Sequence, residues 1–217
     1  MSRVLTTRNL YSKKFEFIPF IGMWLTVFGN QTCRGAWLIW GAEKNGKTWF
    51  ALILANLLSK FGKVLYISAE EGTDDAFVAS CKRAGIEDTN KNINYDEYLT
   101  IDELEHKLKA RRSPDFVFID NLTIYSDDFR NGVLKELIKK HDNKLFVFIA
   151  HEDRNEPYTA SAKLCRKLAK VIVHVKGLAC SVSGRCPGGV LTIDEEKAMV
   201  FHGMKALGND KCLTIND

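Results

Sequence analysis

One stretch of eight residues has the composition and spacing of a phosphate-binding loop. Residues 41–48 read Gly-Ala-Glu-Lys-Asn-Gly-Lys-Thr and match G-x-x-x-x-G-K-[ST] without a mismatch. An apolar run of strand length, 36–40, precedes the loop, and a mostly apolar run of helix length, 49–60, follows it. In this order, backbone N–H groups and a helix N-terminus point at an anion. The stretch therefore predicts a nucleotide-phosphate site.

Separate roles are expected for two side chains of this loop. The Lys47 ammonium should reach the β- and γ-phosphates of ATP, and the Thr48 hydroxyl should bind Mg²⁺. The alternative is an ordinary strand-to-helix turn that contains two glycines and a lysine by chance, but the flanking runs favour the phosphate site. We expect the nucleotide to contact Gly41, Ala42, Glu43, Lys44, Asn45, Gly46, Lys47, Thr48 and Trp49.

Carboxylates and a histidine follow three other apolar runs. Asp120 is expected to hold Mg²⁺, directly or through water, although a strand-ending Asp also caps turns. Glu70 is the favoured group to orient the attacking water, with Glu71 as the second choice. A glutamate pair entering a helix also suits the helix dipole. His151 is expected to sense the γ-phosphate, the alternative being a structural histidine.

The bulk composition fits one α/β domain. The chain has 217 residues, a formal net charge of +4 and 46% hydrophobic residues, an ordinary globular balance. No apolar run is long enough to span a membrane, so we expect no membrane partner. Six cysteines are scattered without a C-x-x-C pair. With a nucleotide site in the chain, this favours reduced thiols in the cytoplasm.

The order of predicted elements favours a mostly parallel sheet flanked by helices, with an antiparallel edge near the C-terminus. Strands and helices alternate up to about residue 175, and two further strands joined by a turn follow. Residues 1–14 are read as a flexible basic arm, 15–203 as the domain and 204–217 as a tail. Because the segment from Ile18 to Gln31 has no charged side chain, we expect it to be packed.

These motifs, taken together, resemble the RecA-type ATPase core. The resemblance covers about residues 34–193 and is greatest to RadA-like, DnaB-like and plasmid RepA-like members. It implies a RecA-like P-loop NTPase fold and an ATP- and Mg²⁺-dependent ATPase. It also implies that Glu70 activates water, that His151 couples the γ-phosphate to a DNA-binding loop, and that Thr48 and Asp120 hold Mg²⁺.

The resemblance further implies a role for Arg185 in trans. Related proteins often carry Lys-x-Arg at a late strand, reaching the nucleotide of a neighbouring subunit. The matching residues here are Ser183-Gly184-Arg185, so the arginine is present and the lysine is absent. The alternative is a solvated residue of a hairpin. We expect a homo-oligomer on this ground.

A predicted helix over 159–170 carries Lys163, Arg166, Lys167 and Lys170 at helical spacing. One basic face would suit a nucleic-acid backbone, while most such faces are merely solvated. Tyr158 is the one candidate here for stacking on a base.

The function that these predictions favour is an ATPase acting on DNA in replication, recombination or repair. The short chain suggests a bare motor or switch core of a phage or mobile element. Two alternatives stay open. One is a switch in which ATP binding alone controls a partner, and the other is a P-loop kinase for a small molecule.

Overall fold

The computed structural model describes residues 4–202 and 212–215, so most of the predicted tail lies outside the described residues. The ten strands are β1 (Gly35–Gly41), β2 (Val64–Ser68), β3 (Ile93–Asp96), β4 (Phe116–Asp120), β5 (Leu145–Asp153), β6 (Glu156–Pro157), β7 (Val171–Lys176), β8 (Ala179–Gly184), β9 (Gly189–Thr192) and β10 (Cys212–Thr214). The eight helices are α1 (Thr7–Tyr11), α2 (Gly22–Phe28), α3 (Lys47–Leu58), α4 (Asp75–Arg83), α5 (Ile101–Lys109), α6 (Val133–Lys140), α7 (Ala160–Leu168) and α8 (Glu195–His202).

The strands form one mixed sheet in the order β10-β9-β8-β7-β1-β5-β4-β2-β3, with the short β6 paired to β5. The pairs from β3 across to β7 are all parallel. The β7–β8 and β8–β9 pairs are antiparallel, and β10 returns parallel to β9. The predicted fold class, mostly parallel with an antiparallel C-terminal edge, is confirmed.

The central strands are apolar along their whole length because helices cover both faces of the sheet. All five residues of β2 and of β4 are buried. One face packs around Phe50 of α3, and the other packs around Leu104 of α5, Leu134 of α6 and Ala162 of α7. Burying a large apolar side chain such as Phe50 or Leu104 contributes about 1.5–3 kcal/mol.

One side of the aromatic segment before β1 is packed, as its lack of charge predicts, while Ile21 and Leu25 on the other side are exposed. Phe20 and Phe28 are buried, and the Phe28 ring stacks on Trp37 of β1 at a centroid distance of 5.1 Å. The segment contains helix α2 and a single antiparallel bridge from Phe17 to Thr32. None of the helices in the described residues is long and apolar enough to cross a membrane.

Helix α1 lies within the predicted flexible basic arm, and none of its residues is buried. Two other details differ from the sequence-based expectations. Strand β5 extends to Asp153, so His151 lies within a strand rather than after one. Helix α7 ends at Leu168, and Ala169 takes an extended conformation. Lys170 is therefore not on the predicted helix face.

Candidate nucleotide site

The glycine loop joins β1 to α3 in the geometry that the motif predicts. Gly46 caps the helix with a φ of 96°, and Lys44 also has a positive φ of 59°. A Cβ atom on Gly46 would lie 2.6 Å from Leu178 Cδ2, so this position requires glycine. No side chain caps the N-terminus of α3, which leaves its first N–H groups for an anion.

The loop is fastened to the turn between β7 and β8. The Gly177 N–H donates to Asn45 Oδ1 at 2.6 Å, and the Leu178 N–H donates to the Asn45 carbonyl at 3.2 Å. The Asn45 amide nitrogen donates back to the Glu43 carbonyl at 2.8 Å. These bonds restrain the loop through protein groups alone, which lowers the conformational entropy that binding must remove.

Lys47 is the buried cation of the loop. Its ammonium donates to the Ala42 carbonyl at 2.9 Å, so the side chain curls back along the loop. Burial lowers the pKa of Lys47, and the Asp120 carboxylate is the strongest of the charges that oppose this effect. A phosphate would compensate this buried charge better than a single carbonyl does.

Asp120 lies at the carboxyl end of β4, next to the loop, and is almost fully buried. The Tyr66 hydroxyl donates to Asp120 Oδ2 at 2.7 Å. Burial raises the pKa of Asp120 to about 6, while hydrogen bonds from Tyr66 and Thr48 act in the opposite direction. Tyr66 had no signal in the sequence, because its position reads only as part of an apolar strand.

The residues around Asp120 fit a magnesium ion by their chemistry. The Thr48 hydroxyl contacts the Asp120 carboxylate, and both offer oxygen ligands, which Mg²⁺ prefers. Within the described residues, no group of three or more His, Cys, Asp or Glu side chains is arranged to hold a metal. Mg²⁺ usually takes one or two protein ligands and completes its shell with phosphate oxygens and water, so Thr48 and Asp120 would be sufficient protein ligands.

Glu70 and His151 meet at the carboxyl ends of neighbouring strands. His151 pairs in register with Gly41, and its Nε2 atom lies 3.1 Å from both carboxylate oxygens of Glu70. The Glu70 side chain is 43% exposed, so a water molecule has access to it. Burial, followed by the charge of Glu70, raises the pKa of Glu71.

Asn121 links this pair and was missed by the sequence analysis. Its Oδ1 accepts from the Thr123 N–H at 2.7 Å, which turns the amide nitrogen toward the other two side chains. That nitrogen contacts a Glu70 carboxylate oxygen and lies 2.8 Å from His151 Nε2. A buried asparagine that satisfies three partners fixes their relative positions.

One pocket of about 470 Å³ is lined by the loop, Asp120, Glu70 and His151, a size that suits a small ligand. Trp49, the last residue of the predicted contact set, also lines it. Four further lining residues belong to no motif recognised in the sequence: Ser80 and Arg83 of α4, Leu178 of the β7–β8 turn and Lys197 of α8.

Arg185 does not join this site within one chain. Gly184 pairs with Val171 at the start of β7, and the Arg185 N–H donates to the Lys170 carbonyl at 2.6 Å. The loop lies at the opposite end of β7. Arg185 is therefore separated from its own nucleotide site by the length of the strand.

The predicted basic face is split by the end of α7. Lys163, Arg166 and Lys167 are exposed on the helix, where Lys163 pairs with Glu156 and Arg166 lies over the Trp40 ring. The Lys170 ammonium instead points to the segment just before β1, where it donates to Thr32 Oγ1 and the Arg34 carbonyl, both at 2.9 Å. The expectation of one four-residue face is therefore wrong for Lys170.

Three solved structures show a similar arrangement of the chain. The ATPase domain of a helicase matches with a TM-score of 0.53 and 17% identity over 76% of this chain and 83% of that domain. The flagellar accessory protein FlaH from Methanocaldococcus jannaschii matches with a TM-score of 0.60 and 15% identity over 83% of this chain and 96% of FlaH.

A third structural match is the ATP synthase subunit NeqB from Nanoarcheaum equitans, with a TM-score of 0.52 and 10% identity over 69% of this chain. The chain spans only 47% of NeqB. Neither a protein-family model nor a curated protein sequence matches the chain. The three structures are RecA-like P-loop ATPases, and at this identity they establish the RecA-like fold alone.

Proposed function

We propose that the protein is a Mg²⁺-dependent ATPase of the RecA type. The observation that supports this most strongly is the meeting of Lys47, Asp120, Glu70 and His151 in one pocket. These residues come from four separate parts of the chain. A phosphate loop with a buried cation, an oxygen-ligand pair and a strand-tip carboxylate is the equipment that phosphoryl transfer to water requires.

In this proposal, different residues of the chain have different roles in hydrolysis. The loop N–H groups and Lys47 bind the β- and γ-phosphates and hold the γ-phosphorus in place. Glu70 accepts a proton from the attacking water as the oxygen adds to the γ-phosphorus and ADP leaves. Mg²⁺ held by Thr48 and Asp120 supplies charge neutralisation on the phosphate oxygens. Asn121 and His151 position the Glu70 carboxylate.

The defining experiment removes the buried cation. Lys47→Ala should abolish tight binding of Mg-ATP, because it removes the buried ammonium from the loop that holds the phosphates. Isothermal titration calorimetry measures the affinity, and Lys60→Ala, at an exposed position just beyond the end of α3, is the matched control. An unchanged ATP affinity in Lys47→Ala, with the fold intact by circular dichroism, would contradict the proposed function.

DNA is the partner that we propose for the motor. The exposed cations Lys163, Arg166 and Lys167 lie on α7, which follows the strand that carries His151. A change at the γ-phosphate can therefore reach this helix over a short stretch of chain. We place the protein in the cytoplasm, as a homo-oligomer, in replication, recombination or repair.

A nucleotide-dependent switch is the second candidate. Its support is the contact that His151 and Asn121 make with Glu70, since a carboxylate held by these two side chains is less available to accept a proton from water. If turnover is negligible with and without DNA while ATP still binds tightly, the switch is the better description.

A further inference from the structure

One end of the nucleotide pocket has no part in the phosphate chemistry. The γ-phosphate must lie near Lys47, Asp120 and Glu70, because these residues carry the chemistry. The remaining lining includes Trp49 on the first turn of α3, Ser80 and Arg83 on α4, and Lys197 on α8. We call Trp49, Arg83 and Lys197 the platform.

In the platform, the cationic side chains of Arg83 and Lys197 both lie against the Trp49 ring. The Arg83 guanidinium carbon lies 4.6 Å from the centroid of the Trp49 ring, and the Lys197 ammonium lies 5.6 Å from it. Both distances are within the range of attractive cation–π contacts. The Arg83 Nη2 atom donates to Ser80 Oγ at 3.3 Å, which further restrains the guanidinium.

The platform leaves binding capacity unused. Lys197 is paired with Asp194 at 2.6 Å, but Arg83 makes no ion pair with any residue in the described part of the chain. A guanidinium is planar and weakly hydrated, so it stacks on aromatic rings from either side.

We infer that the platform binds the base of the nucleotide, with the base stacked on the guanidinium of Arg83 and the protein favouring purine over pyrimidine triphosphates. This inference rests on the proposed function, since it assigns the other end of the same ligand. The Trp49 ring contacts the guanidinium of Arg83, and the Lys197 ammonium, which comes from α8, contacts the same ring. A purine offers the larger stacking surface, which is why its triphosphates should bind more tightly.

The test separates the base from the phosphates. Affinities for Mg-ATP, Mg-CTP and Mg-tripolyphosphate are measured by calorimetry on the full chain and on Arg83→Lys, which keeps the charge and loses the plane. ATP should bind about tenfold more weakly to the variant. Tripolyphosphate should change by less than about twofold, and the preference for ATP over CTP should shrink.

Two companion variants strengthen this design. Trp49→Leu keeps an apolar side chain but removes the ring that supports Arg83, so it should show the same selective loss for ATP. Lys82→Ala, on the same helix but outside this pocket, should leave all three affinities unchanged. Thermal unfolding curves show that each variant is folded.

Three results would overturn the inference. An equal loss of ATP and tripolyphosphate affinity in Arg83→Lys would make Arg83 a phosphate ligand instead. Unchanged ATP affinity in both Arg83→Lys and Trp49→Leu would remove the platform from the site. Equal wild-type affinities for ATP, CTP and tripolyphosphate would mean that no base site exists. The failure of the proposed function looks different, because wild-type protein would then bind none of the three.

Discussion

Glu70 and Glu71 are neighbours in the chain, but their surroundings differ. Only Glu70 lies within 3.1 Å of His151 and in contact with Asn121. Glu70→Gln should therefore keep its ATP affinity and lose turnover by a factor of about 10² to 10⁴, since a glutamine cannot accept the proton. Glu71→Gln is the control and should stay close to wild type. Steady-state release of phosphate measures both, and the reverse pattern would exchange the two assignments.

Asn121 allows a test of positioning that does not remove Glu70, the proposed catalytic group. Asn121→Asp keeps an oxygen for the Thr123 N–H but replaces the donor that faces Glu70 and His151. We expect the KM for ATP to change by less than about twofold, and kcat to fall about tenfold or more because the water is less well oriented.

The control for Asn121→Asp is the same substitution at Asn143. This residue is exposed and lies near the amino end of β5, at the opposite end of the strand from the site. Parallel losses in KM and kcat in Asn121→Asp would indicate a general structural defect. An unchanged kcat would show that the contact to Glu70 has no catalytic part.

At the scale of elements, the sequence predicts what depends on local pattern. Apolar runs of strand length marked β1, β2, β4, β5 and β7, and the glycine loop marked the start of α3. The end of α7 could not be read in this way. Lys170 continues the helical spacing of the basic residues, but its N–H is needed by the Ala36 carbonyl, where β7 joins β1. Tertiary pairing overrides the helical pattern there.

The same limit applies to the site. Glu70, Asp120 and His151 were recognisable because each stands at the end of an apolar run. Arg83 and Asn121 were not, since a helix surface residue and a strand-following amide have no distinguishing pattern. Arg83 reaches the pocket only because α4 packs beside α3, and Asn121 only because the sheet places β4 between β2 and β5.

The split basic face leads to a prediction about DNA. Neutralising Lys163, Arg166 and Lys167 to Gln should weaken DNA binding and reduce the slope of log affinity against log salt by about 0.7–0.9 for each lost phosphate contact. Lys170→Gln should leave both quantities unchanged, since its ammonium is engaged by Thr32 and Arg34. Fluorescence anisotropy over a salt series measures the slopes. If the single substitution Lys170→Gln also weakened DNA binding, Lys170 would belong to the DNA-binding face, as the sequence predicts.

At the scale of the whole molecule, Arg185 and the glycine loop lie at opposite ends of the strands of the sheet. Six residues of β7 separate Lys170, which contacts Arg185, from the turn that contacts Asn45. At about 3.3 Å per residue, this is a separation of more than about 15 Å. A single side chain cannot cover it, so any action of Arg185 on ATP must be on the nucleotide of another copy.

We propose that Arg185 acts on the nucleotide of a neighbouring copy, in which case turnover should depend on assembly. A guanidinium supplied by a neighbour stabilises the charge that spreads over the transferring phosphate oxygens, so activity per molecule should rise with protein concentration. Arg185→Ala should flatten that rise and leave ATP affinity unchanged, because the arginine meets only the transition state. Arg34→Ala is the matched control, since Arg34 is also exposed and also close enough to act on the pKa of Lys170. Phosphate release is measured across a concentration series, with the assembly mass followed by light scattering. Constant turnover per molecule in the wild type, or equal effects of the two substitutions, would remove Arg185 from the active site.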